Sequence, residues 1–340
     1  MAKKNNIDRN NFEKDPFFLL PLNEKMIDSH FIDREKEVRT VNSLLKTRFK
    51  DTVEICAVIG GIGIGKSSML NFIGRLATEM VFNVEHMTGP DAYPDDWVGE
   101  KAKITVFLID DVDKADDRHA IDFYSRLEKA TSVGRMIFFS DTYDRTEQAL
   151  HLRNHTVTHN ITLPQKLGTD RLKYFLEERM KRCLAKGSSF EFPFNEESIA
   201  MASIRSGGNL RNFLNYTRHA WMVSTGDDRI EVVPADIIAG MVSIDSAQLG
   251  GCDTIDMKIL WFSSIGDMNK AFLAHQCGIN VKTMEGHIDG RLKELMKERK
   301  VGKESITNSV YRDIPGGQRI LTEIIASLGF RFSDVTGSKE

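Results

Sequence analysis

Between residues 53 and 141, short apolar runs alternate with longer stretches whose apolar residues recur every three or four positions. "TVEICAVIG", "VFNVEHM", "ITVFLIDD" and "GRMIFFSDT" are short runs rich in β-branched and aromatic residues, bounded by glycine or polar residues, and each reads as a strand. "SSMLNFIGRLATEM" carries Leu70, Ile73 and Leu76 at helical spacing, and "RHAIDFYSRLEKA" is amphipathic. Upstream, "DRE" opens a further helix with Val38, Val41, Leu44 and Leu45 on one stripe. Strands that alternate with helices predict an α/β fold, a parallel sheet covered by helices on both faces.

After about residue 165 the strand signals stop. "DRLKYFLEERMKRCLAK", "NEESIAMASIRSGG" and "NLRNFLNYTRHAWMV" predict three helices, and a turn-rich mixed stretch, "STGDDRIEVVPADIIAGMVSIDSAQLGGC", follows them. "DTIDMKILWFSSI", "MNKAFLAHQCG" and "VKTMEGHIDGRLKELMKER" predict three more helices, with "KVGKESITNSVYRDI" as two short strands. That order fits a winged helix-turn-helix. The expected organisation is a flexible tail over 1–16, a nucleotide-binding αβα domain over 17–164, a helical lid over 165–246 and a winged helix over 250–330.

Hydrophobic content of 41% and charged content of 28% are those of a globular protein, and a net charge of −3 leaves any nucleic-acid contact to a local patch. Cys56, Cys183, Cys252 and Cys277 are scattered without a CxxC pair, which predicts reduced thiols and neither a disulfide framework nor a zinc site. His275, Cys277 and His287 also lack a paired ligand spacing. The polar start has no apolar signal region, and no run is long enough for a membrane span, so a cytoplasmic setting is expected.

"GGIGIGKSS" places Gly60, Gly61, Ile62, Gly63, Ile64, Gly65, Lys66, Ser67 and Ser68 between a strand and a helix, in the GxxxxGK[ST] pattern. Glycines let the backbone curl so that N–H groups face phosphate oxygens at a helix N-terminus. Lys66 is placed for the β- and γ-phosphates of ATP, and the Ser67 hydroxyl for Mg²⁺. "ITVFLIDD" then delivers carboxylates at a strand's C-terminal end, where such sheets bind ligands. Asp110 is expected to hold Mg²⁺ and Asp111 to polarise the attacking water, giving a slow ATPase because aspartate reaches less far than glutamate. The competing reading for these acids is a helix N-cap, and Asp113 is assigned to such a cap.

Together, "VIGGIGIGKSSML", "VFLIDDVD", "MIFFSDTYD" and "SGGNLRNFL" resemble the nucleotide-site motifs of AAA+ ATPases. More narrowly they resemble the replication-initiator clade of archaeal and eukaryotic origin-recognition proteins and bacterial DnaA. "HFIDREKEVRTVNSLL" is similar to the origin-recognition lead-in and "LIDDVD" to the Asp-Asp form of DnaA, and the resemblance covers about residues 17 to 315. It implies that Ser140 is the sensor that positions the lytic water and Arg211 a second sensor on the lid. It further implies that Arg153 or Arg145 is a finger completing a neighbour's site, and that Phe31 and Ile32 line the adenine pocket. The interval from Lys66 to Asp110 is short for the origin-recognition group, so its DNA-gripping insertion is not expected. The loop with "DRE" upstream also resembles STAND-type signalling NTPases.

In the winged helix, Lys282, Thr283 and His287 fall near the N-terminal end of the expected recognition helix. Arg291, Lys293, Lys297, Arg299, Lys300 and Lys303 outnumber Glu294, Glu298 and Glu304 there, which suits phosphate contact, although Gly286 and Gly290 are poor helix formers. The expected protein is an ATP-switched, double-stranded-DNA-binding initiator that forms a homo-oligomer and recruits a protein such as a helicase. A signalling NTPase with a protein-docking winged helix and a transposition-targeting ATPase of a mobile element are the alternatives.

Overall fold

The computed structural model describes residues 12–23, 26–27, 30–46, 53–90, 105–129, 135–188, 190–227, 229, 231–301 and 304–337. The expected tail lies outside them up to residue 11, as does Lys303, and nothing is described of the Glu294, Arg299, Lys300 and Glu304 side chains. The chain forms two compact units, one over 11–188 with 209–212, the other over 189–208 and 213–340.

In the first unit, α1 (Glu35–Lys46) precedes β1 (Val53–Ile59), α2 (Lys66–Glu79), β2 (Asn83–Thr88), β3 (Thr105–Asp110), α3 (Asp117–Glu128), β4 (Arg135–Asp141), α4 (Glu147–Thr156), β5 (His159–Thr162) and α5 (Thr169–Cys183). All five strands run parallel in the order β2-β3-β4-β1-β5. Alternate residues separate the two faces. Ile55, Ala57, Ile59, Phe107, Ile109, Ile137 and Phe139 pack with Phe123, Tyr124 and Leu127 of α3. Gly74 of α2 lies over the other face, where an added Cβ would stand 2.8 Å from Leu108 Cδ1. Each large core side chain stabilises the fold by about 1.5–3 kcal/mol, which holds the C-terminal strand ends in register. The four expected strands are present. The α4–β5 pair was not read from the sequence, because α4 has no clear apolar stripe and β5 is four residues long with one buried position.

The second unit contains α6 (Glu196–Ser206), most of α7 (Leu210–Gly226), α8 (Pro234–Gln248), α9 (Thr254–Ile265), β6 (Met268–Asn269), α10 (Lys270–Cys277), α11 (Val281–Asp289), β7 (Met296–Val301), β8 (Glu304–Ser309), α12 (Gly317–Ser327) and α13 (Phe332–Thr336). α8 replaces the expected mixed stretch. Its proline stands at the helix start, where a missing N–H costs nothing. The antiparallel sheet β6-β8-β7 after α9, α10 and α11 has the element order of a winged helix-turn-helix.

Two corrections concern this part of the chain. The recognition helix was expected to run on past Lys297, but α11 ends at Asp289 and Met296 already opens β7. Gly290 breaks it at φ −92°, ψ −106°, where a Cβ would stand 2.9 Å from Gly286 O. Arg291 and Lys293 therefore lie beyond the helix, Lys293 in a 3-10 turn. The unit also continues through α12 and α13, past the expected boundary at 330.

Candidate nucleotide site and nucleic-acid face

The phosphate loop leaves β1 and enters α2 at Lys66. Gly60 N donates to Asp141 O at 3.2 Å and Gly61 N to Pro164 O at 3.4 Å, so the loop is tied to the chain following β4 and β5. Gly61 tolerates no side chain, because a Cβ there would lie 2.0 Å from Gln165 O. Gly65 adopts φ +105°, which an L side chain rarely enters, and turns the backbone into the first turn of α2. Ile64 is buried and Ile62 is exposed at the tip. Ser67 is half-buried in the first turn, whereas the Ser68 hydroxyl accepts from Leu22 N at 3.1 Å and pins the upstream segment.

Buried Lys66 donates from Nζ to Gly60 O at 3.0 Å and Gly61 O at 2.9 Å, and pairs with Asp113 Oδ2 at 3.1 Å. Ser140, at 0% exposure, donates to Asp113 Oδ1 at 3.0 Å. Asp113 thus joins the loop lysine to the expected sensor. It is not the helix cap, since Asp116 fills that place by accepting from His119 N at 2.9 Å. Asp111 stands in the left-handed region at φ 63° and pairs with the exposed Lys114 at 2.8 Å, while its N–H donates to Asp110 Oδ1 at 2.9 Å. Of the acids after β3, Asp113 and not Asp111 meets Lys66 and Ser140.

The residues present fit a magnesium nucleotide. Gly60, Gly61 and Gly63 leave no room for a Cβ beside the loop lysine, and Asp110, Asp111 and Asp113 offer carboxylate oxygens within 4.8 Å of one another. Ser67 and Asp110 are the residues that would hold Mg²⁺, which when bound would neutralise phosphate charge.

Neither candidate finger is a free surface arginine. Arg153 is buried and donates from Nη1 to Asp141 Oδ2 and Thr142 O, both at 2.8 Å. Arg145 is 3% exposed and donates from Nε to Asp141 Oδ1 at 3.1 Å. Both close on a fully buried carboxylate that also accepts the Tyr124 hydroxyl at 2.6 Å. Burial beside Asp141 pushes that phenol far above its usual range. Within this chain both guanidinium groups are bonded to Asp141.

Phe31 stacks on Phe72 with centroids 4.8 Å apart, and together with the buried Ile32 it lines a cleft shared with Ile64, Gly65, Ser68 and Leu210. Arg34 closes one side by donating to Ile64 O at 3.1 Å. Asn209 caps α7 by accepting from Asn212 N at 3.1 Å, and its Oδ1 would meet a Cβ on Gly63 at 2.3 Å. Residues 209–212 therefore belong with the loop, and Arg211 is exposed in the first turn beside this contact.

In the second unit, Lys282 and Thr283 are exposed at the start of α11, where Asn280 caps by accepting from Thr283 N at 2.9 Å. His287 instead turns to buried Asp256, with Nδ1 2.7 Å from Oδ1, and Arg291 donates to Asp253 and Asp256 at 3.1 and 3.0 Å. His287 fastens α11, and Arg291 the residues after it, to α9. Asp253, Asp256 and His287 bring ligand atoms within 4.8 Å of one another, but the Arg291 guanidinium already balances the acids.

No protein-family model matches the sequence, and no curated protein matches it. Solved structures do match it along most of its length. The Aeropyrum pernix ORC1 protein, solved in complex with DNA, superposes with a TM-score of 0.54 at 12% identity, over 87% of this chain and 94% of that one. CDC6P from Pyrobaculum aerophilum gives 0.50 at 12% identity, over 93% and 99%. The Thermotoga maritima RuvB Holliday junction branch migration motor gives 0.50 at 17%, over 86% and 96%. At these identities the likeness is one of fold. The chain shares the fold of the ORC1 and CDC6P chains.

Proposed function

We propose that this chain is an ATP-binding, slowly hydrolysing switch of replication-initiator type, whose nucleotide state governs its self-assembly and its grip on duplex DNA. The observation that carries this reading is the convergence of Lys66, Asp113 and Ser140 beside a glycine loop in which Gly61 has no room for a side chain. Fixed N–H groups and a lysine suit phosphate oxygens, and a carboxylate with a hydroxyl beside them suits a polarised water. Ser67 and Asp110 serve the metal, Phe31 and Ile32 the base, and Arg211 the γ-phosphate. Residues 17–164 serve as the nucleotide domain, 165–246 as the lid and the elements from 250 onward as the DNA reader.

Lys282, Thr283 and Lys293, exposed on and after α11, are the residues offered to DNA. The ORC1 structure with DNA supports the same use of this fold. The second reading, a signalling NTPase with a protein-docking winged helix, is favoured by one feature. Several cations of that domain already have acid partners: Lys270 pairs with Glu285 and Glu298 at 3.3 and 3.0 Å, and Lys297 with Asp313 at 2.7 Å.

Fluorescence anisotropy on duplex DNA across a salt series, with ATP and with ADP, separates the two. Two lysines against phosphate predict a log–log salt slope of roughly −2 and tighter binding with ATP. Binding that is absent, or flat with salt, would favour the docking reading. Within the described residues no helix is long and apolar enough to cross a membrane.

A further inference from the structure

The turn that carries Asp113 has little bonding of its own. Between β3 and α3 the chain makes one 3-10 turn, Val112–Lys114, with backbone bonds from Lys114 N to Asp111 O and from Ala115 N to Val112 O. Arg145 adds long-range bonds to the turn's backbone. Its Nη2 donates to Val112 O at 2.7 Å, and its Nη1 to Ala115 O at 2.6 Å and Asp117 Oδ1 at 3.4 Å, so one guanidinium grips the turn at both ends. Its Nε is held by Asp141, which is itself fixed in the core by Tyr124, Arg153 and Thr142 N. Asp141 directly follows Ser140, so the end of β4 supplies both the hydroxyl that meets Asp113 and the anchor of the arginine that aims it.

We propose that Arg145 is a positioning residue acting within its own chain, holding the Val112–Lys114 turn so that Asp113 stays between Lys66 and Ser140. The inference rests on the nucleotide-site reading above and deepens it: Asp113 is the working acid, and Arg145 acts through it. A guanidinium presents five N–H donors in a rigid fork and can span Val112 O, Ala115 O and Asp141 together, which a lysine ammonium on a flexible stem cannot. An acid displaced by about 1 Å costs on the order of a hundredfold in turnover.

The test uses full-length Arg145→Lys, Asp113→Asn and the double variant, assayed for ATP turnover and separately for equilibrium binding of a fluorescent non-hydrolysable ATP analogue. Turnover is expected to fall at least ~10-fold in each single variant, with analogue affinity within about threefold of the unaltered chain. The double variant should be no slower than Asp113→Asn alone, since both changes remove one function. Mixing Arg145→Lys with Lys66→Ala chains should restore nothing.

Recovery on mixing would mean that the guanidinium serves a neighbour's site, and multiplied losses in the double variant would mean that it acts apart from Asp113. Either result overturns the proposal, as does unaltered turnover in Arg145→Lys. Should Arg145→Lys not fold, Asp117→Asn, at a partly exposed acid, loosens the same guanidinium, and a loss of about threefold is expected, with unaltered turnover overturning the proposal. An unaltered chain that fails to bind the analogue removes the nucleotide reading and this proposal together. Binding and turnover that ignore Arg145 remove the proposal alone.

Discussion

His30 shows what burial does to a single side chain in the first unit. The ring is 0% exposed, its Nε2 donates to Asp15 O at 2.7 Å, and Arg179 donates to its carbonyl at 3.2 Å. Burial first, opposed by the Asp15 bond and reinforced by the Arg179 and Lys14 cations, pushes its pKa down from 6.5 to about 4. A value depressed in the folded state means that the unfolded chain binds the proton more readily. The contribution is therefore complete above 6.5 and is lost as pH falls towards 4. The full difference is about 3 kcal/mol, of which about 2 is lost by pH 5. Denaturant unfolding at pH 7 and pH 5 should show this loss, and His30→Gln should remove that part of the pH dependence. An unchanged pH dependence in the variant would assign it elsewhere.

The loop's conformation was legible in contiguous sequence, with Gly65 in the left-handed region just before the helix starts at Lys66. Asp113 was not, because its place depends on a left-handed residue at Asp111 and on Arg145, which reaches the turn from beyond β4. The same holds for Arg145 and Arg153. Arginines in a polar stretch give no sign that Asp141 lies buried between them.

Among the secondary-structure elements, β1 to β4, α2 and α3 follow the apolar period of the sequence, whereas α4, β5 and α8 carry no such signal. α8 is apolar on several sides, with no stripe to mark it as a helix, and its Gly240 lies against α7, where a Cβ would meet Ala220 N at 3.2 Å. The helix carries Asp245, which is fully buried and takes Arg205 Nη2 at 2.7 Å, Tyr216 Oη at 3.2 Å and Tyr311 Oη at 2.7 Å. One carboxylate thereby joins α6, α7 and the turn after β8. Asp245→Ala leaves a buried guanidinium without its counter-charge, at a cost of about 3–5 kcal/mol. A chemical-denaturation midpoint that barely moved would show that the network adds little. α11 failed in the opposite sense: its periodic pattern continues past Gly290, but the backbone does not.

Across the chain, charge and fold point in different directions. The fold is shared with ORC1 and CDC6P, yet the net charge is −3 and several cations of the second unit are paired within it. DNA binding by this chain is accordingly expected to depend on few phosphate contacts and to need the nucleotide to add avidity through self-assembly. The nucleotide site underlies that whole account, and Lys66 is its most exacting residue. Isothermal titration of ATP·Mg²⁺ into the unaltered chain and into Lys66→Ala tests it most directly. A saturable heat for the unaltered chain, with affinity weakened at least ~100-fold by the substitution, is the predicted result. Equal binding by both chains, or binding by neither, would contradict it.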